Sequence, residues 1–182
     1  IDAMLDALRK LTLDEVAQIE RIHVHTYAEA IRFCDRPQPT TELEAKFSLQ
    51  HAIASILVHG KPQLAHYTVD ACQHPGVVAW RDHVQVSEDA ACSQRFPAHY
   101  GARVDLFLDD GRSITAERTD AWGDPEDALS VSDIIAKALA LAEWGGIPHS
   151  TARQLFEQSL GLMNGGRLDH FNMMLARVKS CA

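Results

Sequence analysis

His23 and His25 stand two residues apart, and imidazoles at that spacing on a strand project from one face, where they can chelate a transition metal. No third ligand can be picked out, and a solvated strand face explains the pair equally well, so no metal is assigned. Lys46, Ser48 and Gln50 form a second group. A lysine beside an apolar helix stripe either extends its amine to water or meets a carboxylate, including that of a ligand. Asp124, Glu126 and Asp127 have the composition of an acid/base cluster, but an acidic turn ahead of a helix complements the helix dipole, and that reading is preferred. The chain has no GxSxG elbow, no GxxxxGK[ST] phosphate loop and no HExxH. No residue is assigned a catalytic role.

The elements that must carry these groups follow from periodicity. Ile1, Met4, Leu5 and Leu8 keep the spacing of one helix face, so a helix runs to about Lys10. Ile1 opens that helix without a cap, as expected of a piece of something longer. Thr12 to Glu15 matches a capping box. From Ile19 the period becomes two, with Ile22, Val24 and Thr26 alternating with the histidines, which predicts a half-exposed strand. Residues 34–41 hold two prolines and no periodicity, hence a loop.

Thr41 to Glu44 is a further capping box, and Gly60 is placed to end the helix it opens as a left-handed cap. Leu49, Ala52, Ile53, Ile56 and Leu57 make its apolar stripe, with Lys46 and Gln50 one turn apart at the stripe's edge. Short helices are expected at Thr68–Cys72 and Pro75–Trp80, and a strand at His83–Val86. Val104, Leu106 and Leu108, then Asp110-Gly111, then Ile114, Ala116 and Arg118 read as a β-hairpin. After Ser130 the pattern is helical, with one stretch ending at Gly145-Gly146 and two more around Ala152–Leu160 and Leu168–Val178.

With 182 residues and 46% hydrophobic content the chain can bury a real core, and its 23% charged residues sit among plentiful Leu, Ile, Val and Ala. A formal charge of -8 disfavours a general nucleic-acid partner. No apolar run approaches the ~20 residues of a membrane span, and the start has no signal-peptide pattern, so the expected location is cytoplasmic. Cys34, Cys72, Cys92 and Cys181 fit no CxxC pair and are expected to be reduced thiols.

The stretch Pro39-Thr40-Thr41-Glu42-Leu43-Glu44-Ala45-Lys46-Phe47-Ser48-Leu49 closely resembles the MmgE/PrpD family, the 2-methylcitrate dehydratase group. The family shares an "EAKFSL" helix opening after a Pro-rich loop and an alanine-rich continuation ending at Gly, here Ile53 to Gly60. Leu106-Phe107-Leu108-Asp109-Asp110-Gly111 is similar to its strand-turn segment. Gly123-Asp124-Pro125-Glu126-Asp127-Ala128-Leu129-Ser130 resembles its "GDPENPLS" loop, with Asp127-Ala128 in place of Asn-Pro.

The resemblance implies an α+β fold: a small lid domain with a mostly antiparallel sheet and packed helices, followed by an all-helical C-terminal segment. Residues 1–18 would end a linking helical region, 19–128 would form the lid, and 129–182 the C-terminal helices. Family members dehydrate 2-methylcitrate, decarboxylate cis-aconitate or epimerise iminodisuccinate, without metal or organic cofactor. Their acid/base residues lie mostly in a large helical domain, with a Lys and a His shortly before the lid. Ile1-Asp2-Ala3 resembles the stretch just after that His.

The implied function is therefore the lid and C-terminal portion of a cofactor-independent lyase or isomerase for a small di- or tricarboxylate, inactive without the helical domain. That domain would come in cis or as a separate chain, and a homo-oligomer, such as the dimer, is expected. No cofactor, nucleic acid or membrane is expected as a partner. Lys46, with Ser48 and Arg36 behind it, is the expected substrate-binding set. Decarboxylase-type members carry a Tyr where Phe33 aligns, which favours dehydration or epimerisation; Tyr27 is close by. The alternative is a non-catalytic binding or assembly module that retains the lid fold.

Overall fold

The computed structural model describes residues 1–179, leaving aside the side chains of His170, Met174, Arg177 and Lys179. Cys181 lies outside the described residues. Two compact units are formed, Ile1–Asp127 and a second beginning at Ala128.

The first unit is organised by a four-stranded sheet of order β2-β1-β3-β4. Its strands are β1 (Ile19–Thr26), β2 (Val84–Glu88), β3 (Ala102–Leu108) and β4 (Ser113–Arg118). β1 pairs parallel with β2 and antiparallel with β3, and β3 and β4 form an antiparallel hairpin. The parallel pair requires a crossover. It is supplied by α3 (Ala28–Cys34), α4 (Glu42–Lys46), α5 (Leu49–His59), α6 (Val69–Cys72) and α7 (Pro75–Arg81). Two short helices, α1 (Asp2–Leu8) and α2 (Leu13–Val16), precede the sheet, and α8 (Ala90–Arg95) links β2 to β3.

Alternation decides which side chains enter the core. Ile22 and Val24 of β1, Val84 of β2, Val104 and Leu106 of β3 and Ala116 of β4 are buried on one face, against Ala3, Met4 and Ala7 of α1 and Ile53 and Ile56 of α5. The intervening residues, His23 and His25 among them, form the other, polar face. The overall fold is α+β with a mostly antiparallel sheet, as the resemblance implies.

The predicted long helix from Thr41 to Gly60 is in fact two. Thr41 opens α4 with both hydrogen bonds of its capping box, and α4 stops at Lys46. Ser48 then takes an extended conformation (φ −121°, ψ 112°), and its hydroxyl accepts the His51 amide to start α5. A serine that can cap is a competitor for helical continuity, and here it prevails. The consequence for the site is direct: Lys46 and Gln50 do not share a helix. Gly60 ends α5 with φ +79° but ψ −144°, outside the expected left-handed helical region and in one that only glycine adopts readily.

The second unit contains α9 (Val131–Trp144), α10 (His149–Met163) and α11 (Leu168–Lys179). Ser130 caps α9 through a capping box with Asp133. Leu139 and Ala152 are buried, whereas Val131, Ile134, Leu141, Trp144, Leu160 and Met163 are exposed. No helix among the described residues is long and apolar enough to cross a membrane.

Candidate functional site

The Pro-rich loop at 34–41 is held against the start of α5 by a compact set of hydrogen bonds. The Ser48 hydroxyl donates to the Arg36 carbonyl at 2.6 Å and accepts from the His51 amide at 2.9 Å. Gln50 donates from Nε2 to the Asp35 carboxylate at 2.6 Å and accepts the Arg36 amide at 3.2 Å. Ser48 and Gln50 are each 3% exposed, while their partners Asp35 and Arg36 lie on the exposed loop, so the bonds run from the buried start of α5 to the surface.

The structure thus brings Arg36 and Ser48 together through the Arg36 backbone. The Arg36 side chain is exposed and donates to the Phe33 carbonyl at 3.2 Å. Lys46 is exposed in the last turn of α4. Beside them the Glu44 carboxyl is held below its usual range, first by the Thr40 amide and then by the Thr40 hydroxyl. Phe33 is exposed, while Tyr27 stacks on Phe96 at 4.7 Å and burial raises its hydroxyl's pKa. Arg36 and Lys46 are thus exposed on the braced loop and at the end of α4, in a segment that also carries the acidic Asp35, Glu42 and Glu44.

Behind this surface lies a residue the sequence reading did not single out. Arg81 is 7% exposed and donates to the carbonyls of Cys72 at 3.1 Å and Pro39 at 3.4 Å. It ties α7 to the Pro-rich loop. No local signal marks it, because its partners lie 9 and 42 residues away. Cys72 and Cys92 are buried, and Cys34 is partly buried; all three are free thiols, and burial raises the pKa of Cys34 and Cys72.

A cavity of about 260 Å³ opens beside α1. Arg9, Lys61 and Arg118 line it together with Asp2, Asp6 and Trp122. Most of this charge is internally matched. Arg118 bonds Asp6 at 2.5 Å and Asp127 at 2.6 Å, and Arg9 bonds Asp6 at 2.7 Å. The Lys61 ammonium lies over the Trp122 ring at 4.3 Å. Asp127 of the acidic turn is therefore an ion-pair partner. Asp124 also serves the turn, accepting the Ala121 amide at 3.3 Å.

On the polar face of the sheet, His23 and His25 lie with ring centroids 3.9 Å apart. Among the described residues no group of three or more His, Cys, Asp or Glu side chains is arranged to hold a metal ion.

These features define an α+β domain with a loop braced against the start of α5, followed by a helical unit. Residues 1–162 match the family model of the MmgE/PrpD C-terminal domain, and the chain belongs to the MmgE/PrpD family. No curated protein gives a significant match to it.

Proposed function

We propose that this chain is the lid and C-terminal portion of a cofactor-independent lyase or isomerase acting on a small di- or tricarboxylate, in the manner of 2-methylcitrate dehydratase. The single observation that carries the reading is the family match over residues 1–162, to which the exposed Arg36 and Lys46 lend chemical sense. Making or quenching a carbanion beside a carboxylate needs a base matched to a weak carbon acid. It also needs cations that stabilise charge as it spreads onto the carboxylate. Lys46 and Arg36 would supply cationic contacts as the lid closes and excludes water. Ser48 would act by positioning, since its hydroxyl is already committed to the Arg36 carbonyl and the His51 amide.

The base would come from a helical domain, in cis or as a second chain, and the exposed apolar side chains of α9 and α10 offer it a surface. The same exposed side chains are also compatible with a non-catalytic assembly module, which would bind a helical partner without restoring turnover. The test of the site is Lys46→Met in the complemented protein. Loss of about tenfold or more in kcat/KM for 2-methylcitrate, with thermal stability unchanged, is expected. Unchanged kinetics would remove Lys46 from the site.

A further inference from the structure

The connection between α5 and α6 is held by imidazoles whose hydrogen bonds fix where their protons sit. It contains one 3₁₀ turn, Leu64–Tyr67. His51 of α5 is fully buried, and its Nε2 lies 2.8 Å from the His66 carbonyl. A carbonyl can only accept, so the His51 proton sits on Nε2. Nδ1 is then a bare lone pair, buried with no hydrogen-bond partner among the described residues. A second proton there would place an unbonded donor and a charge away from water. The Tyr67 ring at 5.5 Å and the Ser55 hydroxyl at 3.3 Å complete the surroundings.

His66 closes the turn from the other side. Its Nδ1 accepts the Gln63 amide at 3.2 Å, and its own amide donates to the Gln63 carbonyl at 3.0 Å. Nδ1 accepts only while it carries no proton; protonated, it sets one donor against another. The His66 ring stacks on His59 at 4.6 Å, and His59 meets His74 at 5.1 Å. Burial lowers the pKa of His51, Arg81 of α7 and His59 act in the same direction, and the His66 carbonyl opposes them. His66 is lowered by burial first, then by His59 and His51. α4 and α6 also pack on the turn and carry Glu42, Glu44, Lys46 and Asp70. Glu44 is committed to Thr40 and Thr41, and the adjacent Lys61 turns to the Trp122 ring. Among the described residues neither imidazole has a carboxylate supporting its charged form.

We propose that His51 and His66 form a proton-operated latch, closed while both rings are neutral, that releases the segment 61–68 from α5 in mild acid. An imidazole free of these contacts titrates at 6.5, and both rings lie below that value when the turn is docked. Below that pH the open turn therefore binds more protons than the closed one. Docking is fully favoured above about pH 6.5 and weakens as pH falls. Because the turn packs on α4, its release also withdraws support from the helix end that presents Lys46.

Hydrogen exchange of the 182-residue chain, read on peptides covering residues 61–68 and corrected for intrinsic rates, tests the latch. From about pH 7.5 to about pH 5.5, opening of this segment should rise about fivefold or more while β1 and β3 stay protected. Carboxylates stay ionised over that range, which isolates the histidines. His66→Asn keeps an acceptor for the Gln63 amide but cannot titrate, and should abolish about half or more of the logarithmic response. His51→Gln keeps a donor for the His66 carbonyl and should also diminish it. His149→Gln, in α10, should respond as wild type. Circular dichroism melting at the higher pH checks that each variant is folded. The His66 ring is only partly buried, so His66→Asn carries the test even if His51→Gln does not fold. Opening that does not change with pH, a wild-type response in His66→Asn, or an equal rise across β1 and β3 would each overturn the proposal.

Discussion

Ser48 and Arg36, 12 residues apart, are joined by a 2.6 Å hydrogen bond from hydroxyl to carbonyl, while the same hydroxyl caps α5 through the His51 amide. One side chain therefore both interrupts the helix after Lys46 and fixes the loop that carries Arg36. Replacing Ser48 by Ala removes the cap of α5 and the hydrogen bond to the Arg36 carbonyl, at a cost of ~1–2 kcal/mol. Ser48→Thr should retain most of the stability. Urea midpoints of the two variants check this, and equal midpoints for Ala and wild type would contradict it.

Arg81 also braces this loop, through the Pro39 carbonyl. Arg81→Met keeps an apolar stem but abandons the carbonyls of Pro39 and Cys72, and a loss of ~1–3 kcal/mol is expected. Faster hydrogen exchange should appear at the amides of Glu44 and Ala45, in the α4 turn that follows Pro39. Exchange rates that rise uniformly across the sheet instead would show a global rather than a local effect.

Acid should weaken the fold through identifiable carboxylates. Glu15 has its pKa lowered from 4.5 to about 2, first by the Thr12 amide, then by Arg112 and the Thr12 hydroxyl. Between those two values the unfolded chain binds more protons than the folded one, so stability rises with pH across that window. The contribution is fully present above about pH 4.5 and is lost as pH falls toward 2. Asp6, Asp89 and Asp110 are shifted in the same direction and add to the slope. Urea midpoints measured against pH should fall less steeply for Glu15→Gln than for wild type. Parallel profiles would rule the Thr12–Glu15–Arg112 contacts out as a source.

Much of this architecture is readable in the residue pattern because the forces that set it are local. Alternation around Ile22 and Val24 and around Val104 and Leu106 places both strands and their buried faces correctly. The capping boxes read at Thr12 and Thr41 both form. α3 and α8 go unread because each is short, although Asp89 capping α8 was a usable signal. The break at Ser48 was hidden by an apolar pattern that runs on in register through it. In the candidate site, Lys46 and Arg36 stand out by type, but the bonds that brace them do not. Ser48 to Arg36 and Arg81 to Pro39 both depend on how distant segments pair, which no local spacing encodes.

α5 contributes Ile53 and Ile56 to the core of the first unit. Ile53 is fully buried among α1 and the strands. Ile53→Ala should cost ~2–5 kcal/mol and Ile53→Val ~0.5–1.5 kcal/mol, the difference reflecting the cavity left behind. Thermal melting of both variants orders them; an Ala variant melting with wild type would mean that α5 is not docked as described.

The most direct measurement is turnover of 2-methylcitrate by the 182-residue chain, first alone and then mixed with the helical domain of an MmgE/PrpD protein. The lid is expected to be inert by itself and to give measurable dehydration once the helical domain supplies the base. Turnover by the isolated chain at ~1 s⁻¹ or faster, within the ordinary enzymatic range, would contradict its assignment as a lid.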